Sequence, residues 1–105
     1  MERVIQYIRN DDKIKGYPSV LEQMEIVNEY SKENNFYSVK TFVDPDSFLQ
    51  TKIYEAIMFC LENRVNNVLM YNYKTLSHKS IDRVSISKLL YEHNIKIHFA
   101  TNSIL

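Results

Sequence analysis

A chain of 105 residues, 45% of them apolar, supports one core and one domain, residues 1–105, and leaves no room for a catalytic domain joined to a dedicated nucleic-acid-binding module. Thirteen basic residues balance thirteen acidic ones, which excludes a strong overall field toward nucleic acid or an anionic membrane. The single cysteine, Cys60, excludes an internal disulfide and a cysteine metal cluster; with no signal-peptide pattern and no apolar run near ~20 residues, the reading is cytoplasmic with no membrane partner.

Residues 3–9 read as a first strand, because Val4, Ile5, Tyr7 and Ile8 form a β-rich apolar run. Asn10, Asp11, Asp12 and Lys13, then Gly16 and Pro18, turn that run into a polar loop. A helix is predicted over about residues 19–34, with Val20, Met24, Val27 and Tyr30 or Ser31 on one face. Ser19 stands three residues before Glu22, the spacing of a capping box. A second strand over about residues 37–43 leads into a loop holding Asp44, Pro45, Asp46 and Ser47. The clearest amphipathic stripe follows near residues 52–63, where Ile53, Ala56, Ile57, Cys60 and Leu61 recur at helical spacing. On that stripe Cys60 reads as a small core residue and not as a reactive thiol. A third strand is predicted over residues 67–73, a helix from Ser80 or Ser85 to His93, and a fourth strand over residues 96–100. Asn35, Asn66 and Asn94 stand where helices give way to strands, and asparagine tolerates the left-handed conformation that glycine often supplies there.

Strands alternating with helices favour a three-layer α/β/α domain around a mainly parallel sheet of four or five strands. In such sheets chemistry collects just past the carboxyl ends of the strands, which singles out Arg9 and Asp11. Gly16 is the lone glycine, so the glycine-rich phosphate loops of Rossmann and P-loop proteins are absent. His93 and His98 have no third ligand at metal spacing and read as structural. Tyr71 and Tyr73 alternate beside Lys74 and read as packing on the sheet, a surface aromatic pair being the other reading. Arg9, Lys13 and Lys15 form a small basic cluster of weak phosphate affinity, commonly a solvated face.

Several short stretches together resemble the catalytic domain of serine site-specific recombinases, the resolvase/invertase family. They are Tyr7-Ile8-Arg9-Asn10-Asp11, Ser19 and Gln23 in the first helix, Phe42-Val43-Asp44 with Ser47 three residues on, and Val68-Leu69-Met70 leading to Leu76-Ser77. The similarity spans nearly the whole chain and implies a resolvase-like fold. It also implies a serine that attacks a DNA phosphodiester while arginines hold the phosphate and stabilise its developing charge. No cofactor is implied.

Carried over residue by residue, Tyr7 and Arg9 match the family's aromatic and first arginine, but Asp11 falls on the nucleophilic serine. Asp44 and Ser47 match, with Phe48 in place of the following glycine. In the third block Lys74 replaces Asp, Thr75 replaces Arg, Leu76 and Ser77 match, and His78 replaces the last Arg; the position of Ser77 is not the attacking one. Near the middle helix Lys52 is the only cation where a further arginine is expected. The resemblance therefore implies a degenerate site at Tyr7, Arg9, Asp11, Asp44, Ser47, Thr75 and His78. The expected function is a recombinase-like domain that does not cut, working as a homodimer or as a heteromer with an active recombinase. The family's long helix and DNA-binding module are not expected within these residues, so DNA would be met only weakly or through a missing C-terminal region. The alternative is a receiver-like signalling domain in which Asp11, Asp12 and Asp44 hold Mg²⁺ and one accepts a phosphoryl group.

Overall fold

The computed structural model describes residues 1–45 and 50–102. The elements follow in the order β1 (Glu2–Arg9), α1 (Val20–Glu33), β2 (Phe36–Asp44), α2 (Lys52–Asn63), β3 (Asn67–Met70), a 3₁₀ turn (Tyr73–Leu76), α3 (Ser80–Glu92) and β4 (Lys96–Phe99). The strands form one four-stranded sheet in the order β2-β1-β3-β4, and every pairing is parallel. Among the described residues, then, the expected four or five strands are four.

Period-two alternation along β1 divides the interior between two faces. Val4 and Ile8 meet Val27 of α1 and Leu69, with Val20, Met24 and Tyr30 packed around them. Ile5 and Tyr7 point the other way, into a larger core built from Ile53, Ala56, Ile57 and Cys60 of α2 with Ile86 and Leu90 of α3. Helices therefore cover both faces, as a parallel sheet requires. Cys60 is buried, and burial pushes its thiol up to about 11, consistent with a core role. Leu61, expected on the same stripe, lies at its edge and stays exposed.

The chain moves one way from β1 to β2 and the other way from β3 to β4, so the sheet has a topological switch point at the carboxyl ends of β1 and β3. The β1–β2 ladder runs from Glu2 opposite Phe36 to Arg9 opposite Asp44, with an irregularity between Val4 and Ile5. On the other side Gln6 pairs with Leu69, near the end of the four-residue β3. Arg9 thus projects beyond β3 into the switch-point crevice.

Capping residues set the boundaries. Ser19 accepts the Glu22 amide at 3.2 Å while the Glu22 carboxylate accepts the Ser19 amide, so the expected capping box forms. The third strand stops at Met70, earlier than expected, because the Asn72 side chain accepts the Lys74 amide at 3.0 Å and starts the 3₁₀ turn. Tyr73 consequently leaves the sheet and lies half exposed, its ring edge-on to Phe99. Tyr71 packs edge-on against Tyr17.

Asn35 and Asn94 adopt the left-handed conformation as expected, with φ of 56° and 57°. Asn66 does not; Arg64 takes it instead, at φ 55°. The reversal has to be complete before Val65, which is buried in the larger core. Arg3 Nη2 donates to the carbonyls of both Asn63 and Arg64 at 3.0 Å and holds this corner. A side chain in the left-handed region costs roughly 1–2 kcal/mol. Arg64→Gly is therefore expected to raise unfolding stability by about 0.5–1 kcal/mol once glycine's extra unfolded-state entropy is counted. Urea denaturation checks this, and no gain would show that the corner carries no such strain.

Candidate functional site

Arg9 organises the crevice. Its guanidinium donates from Nη1 to Asp11 Oδ2 at 2.6 Å, from Nε to the Thr75 carbonyl at 3.0 Å and from Nη2 to the Lys74 carbonyl at 2.5 Å. The Tyr17 ring lies 5.8 Å from its central carbon, and the Tyr17 hydroxyl bonds Thr75 Oγ1 at 2.5 Å. The residue is 0% exposed, as is the side chain of Asp11. Gln23 of α1 closes the other side, donating to the Arg9 carbonyl at 2.8 Å and to the Pro18 carbonyl at 3.0 Å.

Both oxygens of Asp11 are engaged, since Oδ1 accepts the Lys13 amide at 2.9 Å. Burial alone would raise this carboxyl, but the Arg9 hydrogen bond, the Lys13 amide and the charges of Arg9 and His78 outweigh it and hold Asp11 below the usual carboxylate range. Asp11 is therefore an anion at neutral pH, locked onto the arginine.

Asp44 serves a different end. Its carboxylate accepts the Tyr7 hydroxyl at 2.6 Å and the Lys52 amide at 3.0 and 3.1 Å. Thr51, the residue before α2, makes no side-chain cap, so Asp44 caps that helix from the end of β2, where the helix dipole also favours an anion. Burial and the bond to Asp44 push the Tyr7 hydroxyl far above its ordinary pKa, so it remains a donor. Gln50 donates to the Leu76 carbonyl and so ties the start of α2 to the 3₁₀ turn.

Of the residues singled out by sequence, Arg9, Asp11 and Thr75 meet directly, and His78 lies within electrostatic reach of Asp11. Tyr7 and Asp44 form a neighbouring pair beneath them. Ser47 lies outside the described residues. Thr75 faces inward, where its hydroxyl also accepts the Asn72 amide at 3.2 Å. Ser77 is buried and accepts the Lys79 amide at 3.3 Å, a turn-stabilising role. The Lys52 ammonium pairs with Glu55 on the surface at 2.9 Å.

Asp11 and Asp44 are engaged by different partners, and the described residues contain no group of three or more His, Cys, Asp or Glu placed to hold a metal. The receiver-like alternative is not favoured. His98 bonds Asn67 Oδ1 at 2.9 Å and packs edge-on to Phe36, a structural role, and His93 ends α3. Tyr17 and Gln50 escaped the sequence reading, and only the Gly16-Tyr17-Pro18 turn, with Gly16 at φ 80°, hinted that an aromatic is aimed inward.

No protein-family model and no curated protein sequence matches this chain. Solved structures do. The C-terminal catalytic domain of ISC1926 TnpA, an IS607-like serine recombinase, superposes with a TM-score of 0.76 at 17% identity, over 97% of this chain and 72% of that one. The N-terminal catalytic domain of TP901-1 integrase gives 0.71 at 17% identity, over 94% and 77%. The fold is that of a serine-recombinase catalytic domain. A third neighbour, the first ORF in transposon ISC1904 from Sulfolobus solfataricus P2, gives 0.67 at 13% identity, over 98% and 69%. Within the serine-recombinase fold, the Arg9–Asp11 pair sits at the carboxyl end of the first strand.

Asp11→Asn keeps the shape but strips the charge that balances Arg9, and breaking a buried pair in this way is expected to cost about 3–5 kcal/mol. The pH dependence follows from the lowered Asp11 pKa. Its contribution is complete above the unfolded-state value of 3.8 and is lost as pH falls through the folded value. Denaturation curves of the parent chain should therefore lose more stability than those of Asp11→Asn between about pH 5 and pH 2. Parallel curves would show that the pair is not coupled in this way.

Proposed function

We propose that this chain is a serine-recombinase-like domain that no longer cleaves DNA and that contributes to recombination by associating with itself or with an active recombinase. The observation that carries the reading is the buried bond between Arg9 and Asp11. An arginine that stabilises a transferring phosphate has to touch it, and three donors of Arg9 already have partners inside the protein. At ~4 Å a phosphate and the Asp11 carboxylate would repel by about 4 kcal/mol at an effective dielectric of 20.

Asp11 itself is a poor nucleophile here, because each of its oxygens already accepts a hydrogen bond. Thr75 supplies no charge, and Lys74 and His78 lack the bidentate fork of arginine. Removing one transition-state contact commonly costs about 10²–10³ in rate, and several are absent together. A carboxylate held against Arg9 occupies the role that a bound phosphate would otherwise take.

Association is the role left to a recombinase-like frame with a closed site. The outer face of α3 carries Ile81, Val84 and Tyr91 in exposed positions at helical spacing, which suits contact with another subunit. DNA would then be engaged weakly or through a region beyond these residues. No helix among the described residues is long and apolar enough to cross a membrane.

Incubation with supercoiled DNA carrying recombination sites should give neither nicks nor a covalent protein–DNA adduct, and Asp11→Ser alone should remain silent. Nicking with an adduct that Asp11→Asn abolishes would overturn the loss of cleavage. Sedimentation equilibrium should show a dimer, or a complex with an active recombinase catalytic domain, that Ile81→Ser with Val84→Ser weakens at least tenfold. A chain that stays monomeric in both settings would overturn the association.

A further inference from the structure

A second concavity opens beside the start of the 3₁₀ turn, and neither Arg9 nor Asp11 lines it. It has a volume of about 220 Å³ and is lined by Tyr73, Lys74, Arg83 and Phe99 together with Asn72, Thr101 and Asn102. Its walls are mainly hydrocarbon and ring surface. Among the described residues two cations line it and no acid does, in a chain whose charges cancel overall. Neither cation makes an ion pair among the described residues.

The lining is ordered before any ligand arrives. Arg83 Nε donates to the Ser77 carbonyl at 2.6 Å and Nη2 to the His78 carbonyl at 3.0 Å, which fixes the guanidinium plane. Lys74 is held through its backbone, its amide donating to Asn72 Oδ1 and its carbonyl accepting from Arg9. The Tyr73 and Phe99 rings stand 6.1 Å apart and nearly perpendicular, a corner against which a flat ring can lie. Pre-set groups of this kind reduce the ordering cost of binding.

We propose that this pocket binds a nucleoside monophosphate unit, either free or as the 5′-phosphorylated end of a strand, with the base against Tyr73 and Phe99 and the phosphate at Lys74 and Arg83. The volume falls below the roughly 300–1,000 Å³ of pockets that enclose drug-sized ligands, so it takes one ring system and leaves the charged group at the mouth. Base–aromatic stacking and a cationic rim suffice for such a ligand without a glycine-rich loop. The inference does not depend on the loss of cleavage, since the two sites share the 3₁₀ turn but not their lining side chains.

The test is titration of the whole chain with AMP, inorganic phosphate and adenosine, read by amide chemical shifts. AMP should shift residues 72–74, 83 and 99, with a dissociation constant at least tenfold below that of either fragment. Lys74→Gln should weaken AMP at least fivefold and leave adenosine unchanged. Tyr73→Ala should weaken AMP and adenosine at least fivefold and leave phosphate unchanged. Both side chains reach solvent, so the variants should keep the parent circular dichroism. Tighter binding of a 5′-phosphorylated trinucleotide than of AMP assigns the site to strand ends, and the reverse assigns it to free nucleotides. AMP no tighter than phosphate, shifts confined to residues 9–11, or equal binding of an unphosphorylated trinucleotide would overturn the proposal.

Discussion

One buried bond, from the Arg9 guanidinium to the Asp11 carboxylate, constrains the rest of the crevice. A guanidinium in this position has to be neutralised, because an unpaired charge removed from water costs several kcal/mol. Asp11 supplies the counter-charge from two residues away, while the carbonyls of Lys74 and Thr75 take two of the remaining donors. The loop after β1 and the turn after β3 are thereby fixed to each other across the carboxyl end of the sheet. Tyr17 and Gln23 complete the enclosure from the loop and from α1.

The same arrangement separates architecture from chemistry. Asp44 and Tyr7 form a hydrogen-bonded pair, and Asp44 also caps α2, a helix that begins without a side-chain cap of its own. Thr75 and Ser77 are turned inward to hold the segment that follows β3. In this structure Asp44, Thr75 and Ser77 act as parts of the scaffold. Arg9 shows this most plainly, with three of its donors bonded inside the protein. Beyond the turn that it steadies, Lys74 and Arg83 make no ion pair among the described residues.

The alternation of apolar strands and amphipathic helices made the α/β fold legible before any coordinates, because periods of two and 3.6 each dictate which face is buried. Ser19 and Glu22 marked the start of α1 correctly, since capping is a local interaction of residues three apart. Asn66 misled, because the left-handed turn was placed at Arg64 by the burial of Val65, a demand of the core that asparagine's local preference does not contain. The end of β3 was misjudged for a similar reason: Tyr71 and Tyr73 look like strand residues, and the Asn72 bond that starts the turn overrides them.

Sequence alone determined the order of the elements, the two-sided core and the presence of an aspartate just past the end of the first strand. Those features depend on periodicity, on short-range capping and on residue identity. Only the tertiary structure decided what that aspartate does. Arg9 and the carbonyls of Lys74 and Thr75 are more than sixty residues apart in the chain, and parallel pairing of β1 with β3 brings them within hydrogen-bond distance. Closure of the crevice is a property of that long-range contact, which no local pattern of residues encodes.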